Sequence, residues 1–403
     1  YLFLQKTSEI MKQVSEVFKL ISNLEFPSDT ETISIFKAFG RVSSKDIFAR
    51  RDLPLFDNSA LDGYAFDFAS KDKPLEIVGS VFAGDEPSFE LGGKQCAKIM
   101  TGAKFPKGAN SVVAFEDASF DERGFLLVPK NTKQDNARKL KGEEVKSGEL
   151  LLKSGKKLGA KELMLLSAQG ICQISVFKEP KIALLCLGSE IKEPWQSASQ
   201  NQIYNANAAG IITLLSAKGF ACDYLGIIKD SKDTLTLALQ KALKYDIIIT
   251  TAGASKGEAD YAKECLEAFE FSCLLDSINF RPSKPTKIFR RENKIAIALP
   301  GNPLSAYAAC LLFVLPILRR FCGEQKCLNQ SYEAVLSEDV KLNPTRDNLL
   351  IGKVENAVFS PYNAGKFSPS QIMPLVRNNA ISVIPAGTAE LKAKNLIKFY
   401  KIY

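Results

Sequence analysis

The 403-residue chain contains no histidine. That absence excludes Ser-His-Asp hydrolysis, histidine-ligated zinc and histidine general-base catalysis. Acid–base and metal work falls to Asp, Glu, Lys, Tyr or Cys. Cysteine occurs nine times, an odd number, widely spread and with no Cys-x-x-Cys pair. This is neither a disulfide framework nor a zinc knuckle, so most of the nine are expected as buried thiols in a reducing compartment. No uninterrupted apolar run reaches the roughly 18 residues a membrane span needs. The longest, Ala306 to Leu318, holds Tyr307 and Pro316 and suits a core helix. No signal-peptide pattern is visible; the expectation is a cytoplasmic protein without a membrane partner. No Gly-x-Gly-x-x-Gly follows a strand, which disfavours a nicotinamide oxidoreductase. A basic stripe interleaved with aromatics is missing too. The net charge of +8, from 53 basic and 45 acidic residues, is scattered, with dense clusters only at Lys153–Lys161 and Lys284–Lys294. Nucleic acid is therefore not an expected partner.

What is present is ordinary in bulk: 46% hydrophobic and 24% charged, values of a globular protein. The length predicts roughly two to four domains. The informative stretch runs from Tyr245 to Asp260. A short apolar strand, Ile247 to Thr251, runs into a loop of small residues in which Gly253 and Gly257 permit angles a side chain forbids. Bare N–H groups and Lys256 suit an anion such as phosphate. Glu258 and Asp260 add carboxylates at the same rim, as a magnesium–phosphate site needs. A second such loop, Leu299-Pro-Gly-Asn-Pro-Leu-Ser305, follows the strand from Lys294 to Ala298 and precedes an apolar helix. Either loop alone reads as a tight βα turn. The pair with its carboxylates predicts one ligand at the carboxyl ends of a parallel sheet.

Taken in order, residues 8 to 24 carry helical spacing through Ile10, Met11, Val14, Val17, Phe18 and Ile21, with Ser8 as N-cap. Residues 27 to 142 turn to short alternating runs and long loops, a β-rich region. Within it Asp57, Asn58 and Asp62 read either as turn formers or as a binding loop. A helix returns from Gly159 to Gln169 and stops at Gly170. A helical domain of residues 1–26 and 143–177 interrupted by a β insertion is the simplest account. Residues 178 to 328 alternate strands (from Lys181, Asp223, Ile247 and Ile295) with helices (Ala206–Ala217, Leu235–Leu243), the signature of a doubly wound α/β sheet. Glu190, Asp230, Glu258 and Asp260 fall just past strand ends, where ligands bind in such sheets. Residues 329 to 403 show short β segments, read as a small C-terminal β-barrel.

Together these stretches resemble the MoeA family, molybdopterin molybdenumtransferase, found also as the E domain of gephyrin. Asp57-Asn-Ser-Ala-Leu-Asp-Gly-Tyr64 is similar to the family's D-N-S-A-M-D-G-Y, and Ile99-Met-Thr-Gly-Ala103 with Pro106 to I-M-T-G-A-x-x-P. Gln202-Ile-Tyr-Asn-Ala-Asn207 is similar to Q-I-Y-D-x-N, Gly253 to Asp260 to G-G-V-S-x-G-x-x-D, and Pro300-Gly-Asn-Pro-Leu-Ser305 to P-G-N-P-x-S. The resemblance implies four domains, an elongated homodimer and the insertion of molybdate into adenylylated molybdopterin, with Mg²⁺ required and AMP released. It implies other proteins of molybdenum cofactor synthesis as partners. It implies Glu190, Asp230 and Asp260 at the Mg²⁺ and pyrophosphate, with Asp62 and Thr101 contributing catalytic groups across the dimer. Gly253, Ser255 and Gly257 would hold phosphate oxygens. Pro300, Gly301, Asn302, Pro303 and Ser305 would line the pterin side, and Arg281, Lys284, Arg346 and Ser370 would bind molybdate.

The chain departs from the pattern in several places. Arg281 and Ser283 replace the first Lys and the Gly of Lys-Pro-Gly-Lys-Pro, and a guanidinium is not an ammonium. Leu187-Gly-Ser-Glu190 replaces T-G-D-E, and Ala254 stands for a glycine of the loop's pair. Of two arginines expected in the last domain only Arg346 remains, with Ile351 at the second position. These changes keep a tungstate-preferring variant open. A non-catalytic, gephyrin-like scaffold would be marked by loss of the strand-end carboxylates, which are present. A molybdopterin adenylyltransferase would be marked by the doubly wound domain standing alone.

Overall fold

A computed structural model describes residues 11–26, 29–252 and 259–402, with 259–261 described by backbone alone. Helix α1 spans Val14–Ser22. It begins six residues later than the apolar spacing predicts. Lys12 bridges to Ile278, and the Val14 N–H donates to Asp347 Oδ2 at 2.7 Å. The Gln13 N–H donates to Glu16 at 2.7 Å, a reciprocal cap that fixes the first turn. Ser8 and Ile10 lie outside the described residues.

Strand β1 (Thr30–Ser34) leads into the insertion, whose sheet is built from β2 (Gly63–Phe66), β3 (Glu76–Val81), β4 (Gln95–Ile99) and β5 (Ser111–Ala114) in the order β3-β4-β2-β5. The chain returns through α2 (Ala160–Ala168) to β6 (Gln173–Phe177), which pairs antiparallel with β1. The two helical segments expected to share a domain pack in different cores. Ile35, Leu158, Leu166 and Val176 cluster around α2. The face of α1 carrying Val14, Val17 and Ile21 joins the core of the following α/β unit instead.

That unit contains β7 (Ile182–Leu187), α3 (Ala206–Ser216), β8 (Asp223–Ile228), α4 (Lys232–Ala242), β9 (Ile247–Thr251), α5 (Ala259–Ala268), β10 (Ser272–Leu275), β11 (Lys287–Arg291) and β12 (Lys294–Leu299). The sheet order is β8-β7-β9-β12-β11-β10, with the first four parallel. Alternate side chains go to opposite faces of a strand, and both faces are covered here. Ile182, Leu184, Ile247, Ile249, Ile295 and Ile297 pack towards α3 and the helices after β12. Leu185, Leu187, Ile248 and Ala296 pack towards α4 and α5. Helix α4 starts at Lys232, before the expected Leu235, because the Ser231 hydroxyl caps it by accepting from the Thr234 N–H at 3.3 Å.

After β12 come α6 (Pro303–Ala309), a π turn at Cys310–Val314 and α7 (Leu315–Phe321). Pro316 has no N–H to offer the preceding turn, a reason for the change of helical pitch there. Taken together, Pro303–Phe321 is a 19-residue helix apolar enough to cross a membrane, but 78% of its most apolar window is buried in this core.

The last unit closes on itself. Strands β13 (Tyr332–Leu336), β14 (Asp347–Glu355), β15 (Val358–Pro361), β16 (Ala380–Ile384) and β17 (Leu396–Lys401) run β14-β15-β13-β17-β16 and back to β14, a five-stranded barrel. Phe280 and Arg281 pair with Asp347 and Asn348 at its edge, joining the α/β unit to the barrel.

Candidate functional site

The order of the parallel strands reverses between β7 and β9, and a crevice opens at their carboxyl ends. The cleft there measures about 550 Å³, with Glu190, Tyr204, Asn207, Ala252, Pro300 and Ser370 among its walls. Gly301, Asn302, Pro303 and Pro285 line it as well. It thus collects strand-end residues of β7, β9 and β12, the start of α3 and a loop of the barrel.

Glu190 follows β7, and Asp230 follows β8. Their loops are tied together: the Ser189 N–H donates to Asp230 Oδ2 at 3.0 Å, and the Asp230 N–H donates to Ser189 Oγ at 3.3 Å. Ser189 therefore ties the two carboxylate-bearing loops together. Gly188 has φ +153, and a β-carbon there would meet the Ile191 side chain at 2.5 Å, so the turn presenting Glu190 requires glycine. Asp260 falls in the first turn of α5, and its side chain is not described. Gly253, Ser255 and Gly257 lie outside the described residues, as do Ala254, Lys256 and Glu258. Just before them, Ala252 has φ +64, a left-handed conformation that an alanine adopts only at a cost. Gly301 approaches it closely; a β-carbon at 301 would stand 3.2 Å from Ala252 Cβ. Ala252 and Gly301 thus meet in the cleft wall, and Ala252 is a position of special backbone geometry that the spacing did not single out.

Asn207 is 9% exposed, and its Nδ2 donates to the Gly301 carbonyl at 2.7 Å. Its Oδ1 has no partner among the described residues. A buried acceptor left without a donor is costly, and here it borders the cleft. Behind it, Asn205 of the Gln202–Asn207 stretch, with Tyr224 and Glu193, which the sequence reading passed over, holds the start of α3. Tyr224 donates to Glu193 at 2.6 Å, Asn205 Nδ2 donates to the Tyr224 oxygen at 2.8 Å, and Asn205 Oδ1 caps the helix at the Ala208 N–H, 3.1 Å. Burial, and then the bond to Glu193, push the Tyr224 phenol above its usual pKa, so it remains a donor. No local motif announces this chain of bonds.

The anion-side residues divide. Ser370 faces the cleft, whereas Arg281 lines a separate pocket against the barrel. Lys284 lines neither, and its carbonyl accepts from the Ile278 N–H at 2.9 Å. Ser305 is fully buried; its carbonyl accepts from Ser283 Oγ at 2.9 Å, and its hydroxyl donates to the Pro282 carbonyl at 3.3 Å. It staples the Arg281–Pro285 segment to α6. Arg346 precedes β14 and lines neither cavity, while its carbonyl accepts from Asn348 at 2.7 Å. Ile351 is fully buried in the core.

In the insertion, antiparallel pairing of Gly63 with Ile99 places the residues flanking β2 and β4 side by side. Asp62 Oδ1 accepts from the Thr101 N–H at 2.6 Å and from the Thr101 hydroxyl at 2.8 Å. The N–H bond first, then the hydroxyl, holds the carboxyl below its ordinary pKa. Asp57, by contrast, is engaged by Arg138 and by the Lys141 N–H at 2.7 Å, and Asn58 donates to the Phe56 carbonyl at 3.1 Å. Those two shape the turn; Asp62 and Thr101 form an exposed pair. Neither member of the pair lines the cleft of its own chain.

A divalent cation of the hard, oxygen-binding kind fits the donors at the cleft. Glu190 and the partnerless Asn207 Oδ1 belong to its walls, and Asp230 lies on the loop tied to that of Glu190; all are oxygens. Among the described residues there is no group of three or more Asp, Glu, His or Cys side chains that could hold a metal, so a further carboxylate would come from Asp260.

Comparison with known proteins follows the same lines. The family model described as MoeA N-terminal region (domain I and II) matches residues 7–170, and that described as probable molybdopterin binding domain matches residues 183–320. A molybdopterin molybdenumtransferase of Staphylococcus aureus is 30% identical over 397 residues, covering 95% of this chain and 94% of its own length. One from Nostoc sp. is 28% identical over 386 residues, covering 92% and 88%. The crystal structure of the molybdopterin biosynthesis moea protein from Pyrococcus horikosii is 28% identical with a TM-score of 0.82, covering 98% of this chain and 100% of that one.

Proposed function

The chain belongs to the MoeA family, and on that premise we propose that it is the enzyme that inserts molybdate into adenylylated molybdopterin with release of AMP. The observation that carries this reading is the cleft itself, with the strand-end carboxylate Glu190 on one side and the Pro300–Pro303 loop on the other. Breaking a phosphoanhydride-type linkage depends on placing charge more than on covalent help, which suits a chain without histidine. Bound Mg²⁺, held by Glu190, Asp230 and Asp260, would neutralise phosphate charge at the leaving group. Pro300, Gly301, Asn302 and Pro303 line the pterin side, with Ser305 buried behind them as the staple that fixes their loop. Gly253, Ser255 and Gly257 offer phosphate contacts, and Arg281 contacts the oxyanion; Ser370 lines the other cavity, and Lys284 and Arg346 line neither.

Asp62 and Thr101 enter this reading through a second copy of the chain. Support comes from apolar side chains left in water: Phe36, Phe39, Phe48 and Met164 are 92%, 72%, 51% and 74% exposed. Phe36 belongs to a 3₁₀ turn that packs on α2, the helix bearing Met164. Such a patch suits an interface, and a homodimer formed there offers each cleft the partner's insertion. Action in the cytoplasm agrees with nine free cysteines, six of them buried.

Arg281→Ala tests the anion side. The variant should require more molybdate for half-maximal turnover at unchanged fold. An unchanged requirement moves the oxyanion contact away from Arg281, and a lower requirement for tungstate than for molybdate in the wild type changes the substrate.

A further inference from the structure

The connection from β7 to α3 leaves and re-enters the cleft wall through two short arms, Ile191–Lys192 and Ile203–Tyr204, paired in parallel. Ile191 of the first arm lines the cleft beside Glu190, and Ile203 and Tyr204 of the second line it too. Glu193 follows the first arm and Asn205 follows the second. Both side chains are buried, and both meet the phenol of Tyr224, which reaches them from β8. Tyr224 donates to Glu193 Oε1 at 2.6 Å, and Asn205 Nδ2 donates to the Tyr224 oxygen at 2.8 Å. Asn205 Oδ1 caps the helix that carries Asn207, and Asn207 Nδ2 in turn reaches the Gly301 carbonyl at 2.7 Å. One phenol thus grips both arms and the first turn of α3.

A phenol has one proton to give and lone pairs with which to receive. Here the proton goes to Glu193 and the oxygen receives the amide of Asn205, so the bonds run one way, from Asn205 through Tyr224 to Glu193. Among the described residues Glu193 enters no ion pair, and the phenol is the donor that meets its buried carboxylate. A short bond from a hydroxyl to a carboxylate is a strong one. Burial pushes the neighbouring Cys186 thiol up, so that group brings no second negative charge. We propose that Tyr224, Glu193 and Asn205 are positioning residues of the cleft, a one-way relay that fixes both arms and holds Asn207 at the cleft wall. The part this plays in turnover rests on the function proposed above; the relay itself does not.

Asn205→Asp in the full-length chain separates the relay from local packing. Aspartate caps a helix as well as asparagine does, and the helix dipole favours its charge, so a purely local role makes the change neutral. The relay makes it harmful, because two buried carboxylates then face one phenol proton. Adding Glu193→Gln reverses the relay: the new amide donates to the phenol oxygen, and the phenol donates to the new carboxylate. The second change should therefore rescue the first, a coupling that independent side chains do not show. The readout is the side-chain amide of Asn207, observed by NMR with isotope-labelled asparagine. Its protection from exchange with water should fall about tenfold or more in Asn205→Asp and return in Asn205→Asp/Glu193→Gln. The KM for adenylylated molybdopterin should follow the same order, with kcat little changed, since the wall binds rather than reacts. Equal protection in the wild type and Asn205→Asp overturns the relay, as does a double variant no better than Asn205→Asp. Protection that follows the relay while KM stays constant removes its positioning role. Protection that follows the relay in a chain that releases no AMP from adenylylated molybdopterin leaves the relay standing and removes the function proposed above.

Discussion

Asp62 and Thr101 show how one residue's N–H and hydroxyl together set the state of a carboxylate. Both donors of Thr101 reach the same oxygen, and the N–H is the larger cause of the lowered pKa. A carboxylate whose folded pKa is depressed contributes stability above its unfolded pKa and loses it as pH falls through the folded value. Thr101→Val removes the hydroxyl and keeps the N–H. The Asp62 pKa, followed by NMR titration, should therefore rise part of the way towards 3.8 and stay below it, with a smaller acid loss of stability that is complete at a higher pH. A pKa that does not move would show that the hydroxyl bond is not made in solution. The residue types of this pair were legible from the Asp57–Tyr64 and Ile99–Ala103 stretches. Their pairing was not, because it depends on the register of β2 with β4. Ala252 was illegible for a different reason: alanine gives no sign in sequence of a positive φ.

At the level of elements, the α/β unit was readable because its strands are buried on both faces and appear as continuous apolar runs such as Ile182–Leu187. The start of α1 was not readable. What stops the helix at Val14 is Asp347, 333 residues away. Its other oxygen accepts from the Ala386 N–H at 2.8 Å, so one carboxylate joins the first helix to two parts of the barrel. It also stands where the positive end of the helix dipole favours negative charge. Asp347→Ala leaves two backbone donors without an acceptor and should cost about 2–3 kcal/mol in urea unfolding. Asp347→Asn keeps an acceptor and should cost less. A loss below about 0.5 kcal/mol for the alanine variant would mean that water replaces the carboxylate. The pocket beside Arg281 was equally hidden: Arg281 stands some distance before Lys341 and Lys366 in the chain, and only the junction of Phe280–Arg281 with β14 brings them together.

Across the whole molecule, the cleft draws on the α/β unit and the barrel, while the Asp62–Thr101 pair lies on the insertion. A complete site in the proposed reading needs two chains. In that reading the exposed phenylalanines near α2 would form the interface between them. Phe36→Asp with Phe39→Asp should convert a dimer to a monomer in sedimentation, with activity falling as the dimer is lost. A double variant that sediments as the wild type removes this face from the interface, and an active monomer removes Asp62 and Thr101 from the shared site.

The central claim is that acidic groups past β7 and β8 and at the start of α5 serve one magnesium-dependent reaction in the cleft. Release of AMP from adenylylated molybdopterin, supplied with molybdate and with or without Mg²⁺, measures it directly. The wild type should release AMP only with magnesium, and Asp230→Asn and Asp260→Asn should each abolish release while melting as the wild type does. Release at the wild-type rate by both variants, or release by the wild type without magnesium, would contradict the account.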